Sequence, residues 1–428
     1  MKEDSSLFKY ELAIVLIIKN GAPYMREWIE YHLLAGVDHF YIYDNESTDN
    51  LQEVLKPYID AKIVDCKKIS GKSAQCAAYN DAVENYRFDC RYMAFIDDDE
   101  FILPRGTKSV KDVLAEVFEK HPVAAGLTVN WHVFGAGRQT KADYSHDVME
   151  RFMYRTPDNF VIGDNVMNSH VKTIANPRCI DLIFIPHFAV YLEGKFAINS
   201  NGDFVPHSFD NSIPDDKIII NHYYTKSEEE YTAKVNRGRA DATDINHRLE
   251  DFHATDIAST IFDDSILKYR HARSRALQSE NGRVFLAIDP LDKINSRLTN
   301  ALLQNVMPAF VAGTSREFFG GKLDTFLTCR AVSHSLADNW LDKKLAECLE
   351  ELSLRCVYYA LASDNLQPWQ FMLLLKELPK LLKLEYESLK DIKIACRNLL
   401  PQMLDYFRLK TDWHNYEKMK YIAAILDN

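Results

Sequence analysis

The chain has 428 residues, 47% of them hydrophobic and 26% charged, the balance of an ordinary globular protein too long for a single core. Its formal net charge of -11 excludes the basic excess of a nucleic-acid binder. None of the eight cysteines forms a C-x-x-C pair, which excludes the common zinc and redox motifs and fits reduced, buried thiols.

The polar, acidic start "MKEDSSLFKYE" is unlike a secretory signal. The apolar run "LAIVLII" that follows is far shorter than the roughly 20 residues of a membrane span. Both place the chain in the cytoplasm, with peripheral contact at the inner face of a membrane left open.

"ELAIVLII" is apolar on both parities, as a strand buried on both faces of a parallel sheet reads. "APYMREWIEYHLLAG" has aromatic and apolar residues at helical spacing, with Gly36 placed to end the helix. "HFYIYD" predicts a second strand, "LQEVLKPYI" a short helix, "AKIVDC" a third strand, "SAQCAAYNDAVENYR" a helix and "YMAFID" a fourth strand. This β-α alternation predicts an open α/β sheet, Rossmann-like and mostly parallel. Ligands of such sheets bind at the carboxyl ends of the strands, which makes Lys19, Asn20, Asp44, Asn45, Lys67 and the run from Asp97 the informative positions.

That run, Asp97-Asp98-Asp99-Glu100, sets like charges side by side at the end of a buried strand. Desolvating them is costly. A divalent cation held by Asp97 and Asp99, which share a direction in an extended segment, removes the cost; a solvated acidic turn avoids it. Oxygen ligands suit Mn2+ or Mg2+, ions that commonly bridge carboxylates to phosphates.

Further strands are predicted at "AAGLTVNWHVF", "IFIPHFAVY" and "KIIINHYY", then a helix in "TKSEEEYTAKVNRGRAD" with a Ser227–Glu230 capping box. From about residue 270 apolar periodicities such as "KKLAECLEELSLRCVYYAL" predict helices. The expected division is an α/β domain over 1–268 and an all-α region over 269–428.

In order, "LIIKNGAPYMREWIEYHLLAGVDHFYIYDNESTDN", "AQCAAYNDA" and "YMAFIDDDEFILP" resemble glycosyltransferases of the GT-A fold, closest to the family 92-like and family 2-like group. The resemblance runs through "NWHVFGAG", "VKTIANPRCI" and "INHYYTKSEEEYTAKVNRGRAD", over residues 11–245. It departs at Gly21, where the group has Glu after Lys-Asn.

The resemblance implies a nucleotide-sugar donor, with UDP first in line, and a glycan or glycolipid acceptor. It implies that Asp44 contacts the uracil or ribose and that Asn45 shapes the same loop. Gln75 and Asn80 face the nucleotide, and Lys72 reaches a phosphate. Asp97 and Asp99 hold Mn2+ or Mg2+ with His222 as a third ligand, and Asp98 orients neighbours. Lys226, Lys234, Arg237 and Arg239 supply cations for the diphosphate. Trp131, Phe134, Gly135 and Gly137 border the acceptor. An inverting transfer needs a general base, and the sequence leaves Glu193, His187 and Asp164 as candidates. The C-terminal helices are expected to position the acceptor, dimerise or touch a membrane. A nucleotidyltransferase lacks its Gly-rich loop in "IIKNGAPYMREW", and a non-catalytic nucleotide-sugar-binding scaffold is the other alternative.

Overall fold

In a computed structural model, the described residues are 8–241, 247–269 and, beyond them, chiefly the helix Pro368–Leu381 with scattered single positions. The chain divides into two compact units. One comprises mainly Tyr10–Tyr191 and Lys195–Pro290; the other comprises Leu291–Asn428 with the short pieces Glu3–Lys9 and Leu192–Gly194. Most of the expected all-α region lies outside the described residues; within it, Pro368–Leu381 is helical, with Glu377 buried against Arg330 at 3.4 Å. Among the described residues, no helix is long and apolar enough to cross a membrane.

The first unit is built on a ten-stranded mixed sheet. Strands β1 (Tyr10–Ile18), β2 (His39–Asp44), β3 (Val64–Lys68) and β4 (Cys90–Phe95) are parallel neighbours in the order β3-β2-β1-β4. Helices α1 (Ala22–Ala35), α2 (Leu51–Asp60) and α3 (Gln75–Tyr86) connect them. β1 and β2 are almost wholly buried, which is why they read as continuous apolar runs. Beyond β4 the pairing turns antiparallel through Val171–Ala175, which then pairs with β6 (Gly126–Val133). Ile218–His222 lies between β6, to which it is parallel, and β5 (Glu100–Pro104), to which it is antiparallel.

Two predictions need revising. "IFIPHFAVY" is a hairpin, Ile180–Ile185 against Phe188–Tyr191, with Pro186 and His187 at its turn. Pro lacks an N–H for the ladder, so the strand breaks there. The third strand begins at Val64, leaving Ala61 to close α2.

The aromatic helix α1 has a specific task. Trp28 Nε1 donates to the Glu100 carbonyl at 2.9 Å, and the Tyr31 hydroxyl donates to that of Ile102 at 2.9 Å. His32 donates from Nδ1 to Trp28 and accepts the Ile102 N–H at Nε2, 3.2 Å away. Burial lowers the His32 pKa to about 3, so the ring is neutral and fills both roles. Three side chains of one helix thus bind the backbone directly after the acidic run, and each buried aromatic adds about 1.5–3 kcal/mol of apolar burial. Gly36 ends the helix at φ 107, in the left-handed region where glycine is favoured.

The helix Glu228–Arg237 begins at the predicted capping box: Ser227 Oγ accepts the Glu230 N–H, and the Glu230 carboxylate accepts the Ser227 N–H at 3.1 Å. Glu230 also takes both Arg151 nitrogens, at 3.1 and 2.6 Å, and the Tyr24 hydroxyl at 2.8 Å. Burial opposes the Glu230 charge, but Arg151 and Ser227 hold its pKa below the ordinary value. Removing one partner of such a buried pair leaves the other uncompensated. Arg151→Met is therefore expected to destabilise the fold by about 3–5 kcal/mol, measured by urea denaturation. Loss of less than about 1 kcal/mol, the range of an exposed pair, would contradict the burial argument.

Candidate active site

A cleft of about 1010 Å³ opens at the carboxyl ends of the parallel strands. Its floor follows from register. His222 lies opposite Glu100 across the antiparallel pair, and Ile220 opposite Trp131 across the parallel one. Val171 lies opposite Asn130, which sets His170 opposite Trp131 and Lys172 opposite Val129. Glu100, Trp131, His170, Lys172 and His222 therefore share one face of the sheet.

The acidic run is neutralised by two lysines. The Lys172 ammonium, fully buried, lies 2.8 Å from Asp97 Oδ2 and 3.4 Å from Glu100 Oε2. Lys234, from the helix Glu228–Arg237, lies 2.7 Å from Asp99 Oδ2. Burial pushes the Lys172 and Lys234 pKa values down, but their carboxylate partners outweigh it and both end above the ordinary lysine value. Burial also disfavours ionised Asp99; Lys234 and His222 reverse that and hold its carboxyl well below the usual range. Glu100 behaves oppositely: burial pushes it up to about 8. Its Oε2 accepts the Asp97 N–H at 2.8 Å, closing the turn from within.

The expected ligands are engaged by other side chains in this arrangement. Among the described residues no three His, Cys, Asp or Glu side chains are grouped to hold a metal. Asp97 is engaged by Lys172 and by Gln75 Nε2 at 2.6 Å. Asp99 Oδ1 instead faces His222 Nε2 at 3.5 Å. Burial lowers the His222 pKa, and the nearby Asp99 carboxylate opposes the fall. The structure brings Asp99 and His222 together and holds Asp97 apart on a lysine.

The other predicted residues divide the same way. Lys19, Asn45, Lys72, Gln75, Asp98 and His187 line the cleft. Asp44 does not: its Oδ1 accepts the Ser47 N–H at 2.8 Å and its Oδ2 accepts Gln52 Nε2 at 3.1 Å. It is a turn-forming carboxylate, a role its position at a strand end also suits. Asn20 accepts the Thr48 N–H at 2.7 Å, with φ 54. Asn80 ties α3 to the hairpin through the carbonyl and N–H of Ile183, at 2.6 and 2.9 Å. Lys226 sits over the Tyr24 ring at 4.3 Å. Glu193 and Asp164 are exposed in turns and are absent from the cleft lining, although Gly163 and Asn165, which flank Asp164, belong to it.

Two contributors escaped the sequence reading. Lys172 and His170 lie in and beside "VKTIANPRCI", and neither was assigned a role; a lysine among apolar strand residues is the available signal for Lys172. In the loop after Arg237, the expected cation Arg239 pairs with Asp241 at 2.8 and 2.6 Å, and the Ala240 carbonyl accepts the Gln75 N–H at 3.2 Å. Gly21 also gains a reason. A Cβ there would lie 2.6 Å from Ile18 Cδ1 and 2.9 Å from Asp98 Oδ2, so glycine lets the β1–α1 turn lie against the acidic run.

A model of glycosyltransferase family 92 matches residues 20–257, more than half of the chain. The chain belongs to glycosyltransferase family 92. The matched region holds every side chain placed in the cleft above except Lys19 and its neighbours at the end of β1. A family 92 protein of Ricinus communis is 28% identical over 244 residues, covering 54% of this chain and 37% of that one. A galactan β-1,4-galactosyltransferase of Arabidopsis thaliana is 32% identical over 105 residues, 22% of this chain and 20% of its own length. The chain thus spans well under half the length of the relatives it matches. Among solved structures, S. aureus TarS 1-349 aligns over 88% of this chain and 93% of its own at 11% identity and a TM-score of 0.28, a likeness too slight to carry an argument.

Proposed function

We propose that the chain transfers a sugar from a nucleoside-diphosphate sugar, UDP-linked first, to a glycan or glycolipid acceptor, with inversion at the anomeric carbon. The observation that carries this reading is the Asp99–His222–Lys234 corner at the carboxyl ends of the sheet. It stands beside further cations that line the same cleft, Lys19, Lys72, Arg237 and Arg239. A diphosphate is the ligand such a cationic corner suits.

Asp99 Oδ1 and His222 Nε2 would hold a divalent ion such as Mn2+ or Mg2+, ions that commonly join one or two carboxylates to substrate phosphates. Bound there, the ion would stabilise charge on the departing nucleoside diphosphate. Asp97, held by Lys172, would orient the turn without ligating. Lys234 moves from Asp99 toward phosphate in this reading, and Arg237, whose Nη1 donates to the Lys19 carbonyl at 2.8 Å, fixes the cleft edge. His187 is the one of the three expected base candidates that lines the cleft.

The test is a donor panel with and without Mn2+, scored by hydrolysis and by transfer to oligosaccharides. A galactosyl donor comes first because two relatives carry galactosyltransferase names. The reading predicts Mn2+-dependent turnover of at least one UDP-sugar. Response to nucleoside triphosphates alone would favour a nucleotidyltransferase, and binding without turnover a scaffold.

A further inference from the structure

Away from the charged corner, the cleft wall is aromatic. The Trp131 ring packs on His222 with centroids 4.2 Å apart, and His170 stacks on it at 4.9 Å and 13°. His187 meets the same indole nearly edge-on at 5.1 Å, and Phe209 flanks His170 at 4.6 Å. The stack is fixed by the sheet, since the Trp131 N–H donates to the His170 carbonyl at 3.1 Å. Trp131, His170 and His187 all line the cleft. The indole itself is buried beneath these rings, so it serves to hold His170 and His187 in place beside the charged corner.

His170 Nδ1 lies 3.1 Å from the Met167 carbonyl. A carbonyl only accepts, so Nδ1 carries the proton and Nε2 keeps its lone pair. Burial pushes the His170 pKa down to about 4, with His222 and Lys172 adding to the fall, so the ring is neutral near pH 7. His187 shares the tautomer through Val171, at 3.2 Å, and burial and the nearby Lys172 hold its pKa well below the ordinary value. His170 lies on the sheet floor opposite Trp131 and is the one of the two stacked flat on the indole, whereas His187 stands at the hairpin turn.

We propose that His170 is the general base for the acceptor, which enters the cleft beside this stack with its reacting hydroxyl toward Nε2. This rests on the donor reading above. As the acceptor oxygen forms its bond to the anomeric carbon, the hydroxyl proton passes to Nε2. The bond from that carbon to the diphosphate oxygen breaks, and its electron pair leaves with the nucleoside diphosphate.

The experiment compares His170→Gln, His170→Ala and His187→Gln in the full chain, measuring transfer and, in the same samples, UDP binding with Mn2+. Both His170 variants are expected to lose about 10²–10⁴ in kcat while UDP affinity stays within about threefold. Added imidazole should restore part of the rate to His170→Ala, which a structural role would not permit. His187→Gln should lose less than about tenfold. Transfer by His170→Gln within about threefold of the unsubstituted rate, absence of imidazole rescue, or a larger loss in His187→Gln would overturn the assignment. Unchanged UDP binding with lost transfer separates it from the donor reading. If the unsubstituted protein binds no UDP, that reading falls and this one with it.

Discussion

Asp99→Asn is expected to lower transfer by about 10²–10³ and to raise the Mn2+ concentration needed for half-maximal rate, whereas Asp97→Asn is expected to cost about tenfold and leave that concentration unchanged. The asymmetry follows from geometry, since both are aspartates of one short run. Asp99 faces His222 at 3.5 Å and Lys234 at 2.7 Å inside the cleft. Asp97 is bound to Lys172 and Gln75. Losing the Asp99 charge would remove the proposed ligand and release Lys234; losing the Asp97 charge would loosen a turn that Glu100 still closes through the Asp97 N–H. Steady-state kinetics across a Mn2+ titration reads both variants. Equal losses, with equal shifts in Mn2+ demand, would mean that the two carboxylates share the ion after all.

The second large effect is on folding. Lys172→Met is expected to destabilise the protein by about 3–5 kcal/mol, because it strips a buried cation from Asp97 and Glu100. Adding Asp97→Asn to that variant should recover part of the loss, since the buried charge left behind is then gone. Glu100→Gln should do little at pH 5 and change the pH dependence above it. The Glu100 pKa is raised by burial to about 8 from an ordinary 4.5. A raised carboxyl contributes stability that is fully present below the unfolded value and is lost as pH rises through the folded one. The difference in stability between Glu100→Gln and the unsubstituted protein should therefore grow in favour of Gln between about pH 5 and pH 8. Urea denaturation across that range reads it, and a flat difference would show that Lys172 keeps Glu100 ionised.

Much of this was legible in the sequence, and the failures share a cause. The parallel half of the sheet shows as apolar runs because strands buried on both faces have no polar parity to break. Gly36 and the Ser227–Glu230 box mark helix ends because those ends need a left-handed residue or a side-chain acceptor. What a linear reading missed was direction. Asp44 stands at a strand end, yet Ser47 and Gln52 turn its carboxylate into its own loop. The repulsion within the acidic run is a cost visible in the sequence; the lysines that offset it in the structure are not, since Lys172 lies 75 positions after Asp97 and Lys234 lies further on still. Pairings at that separation are set by sheet register, which no local pattern encodes. The motif in α1 resembled a family signature before it had a reason; the reason is that Trp28, Tyr31 and His32 hold the backbone of β5, and with it the acidic turn.

The account stands on where the donor diphosphate and its ion sit. Anomalous scattering at the manganese edge, from a crystal of the full chain soaked with Mn2+ and UDP, tests it most directly. The predicted result is one ion within bonding distance of Asp99 Oδ1, His222 Nε2 and the diphosphate, with Lys172 still on Asp97. An ion on Asp97, or UDP bound elsewhere with that corner vacant, would contradict it.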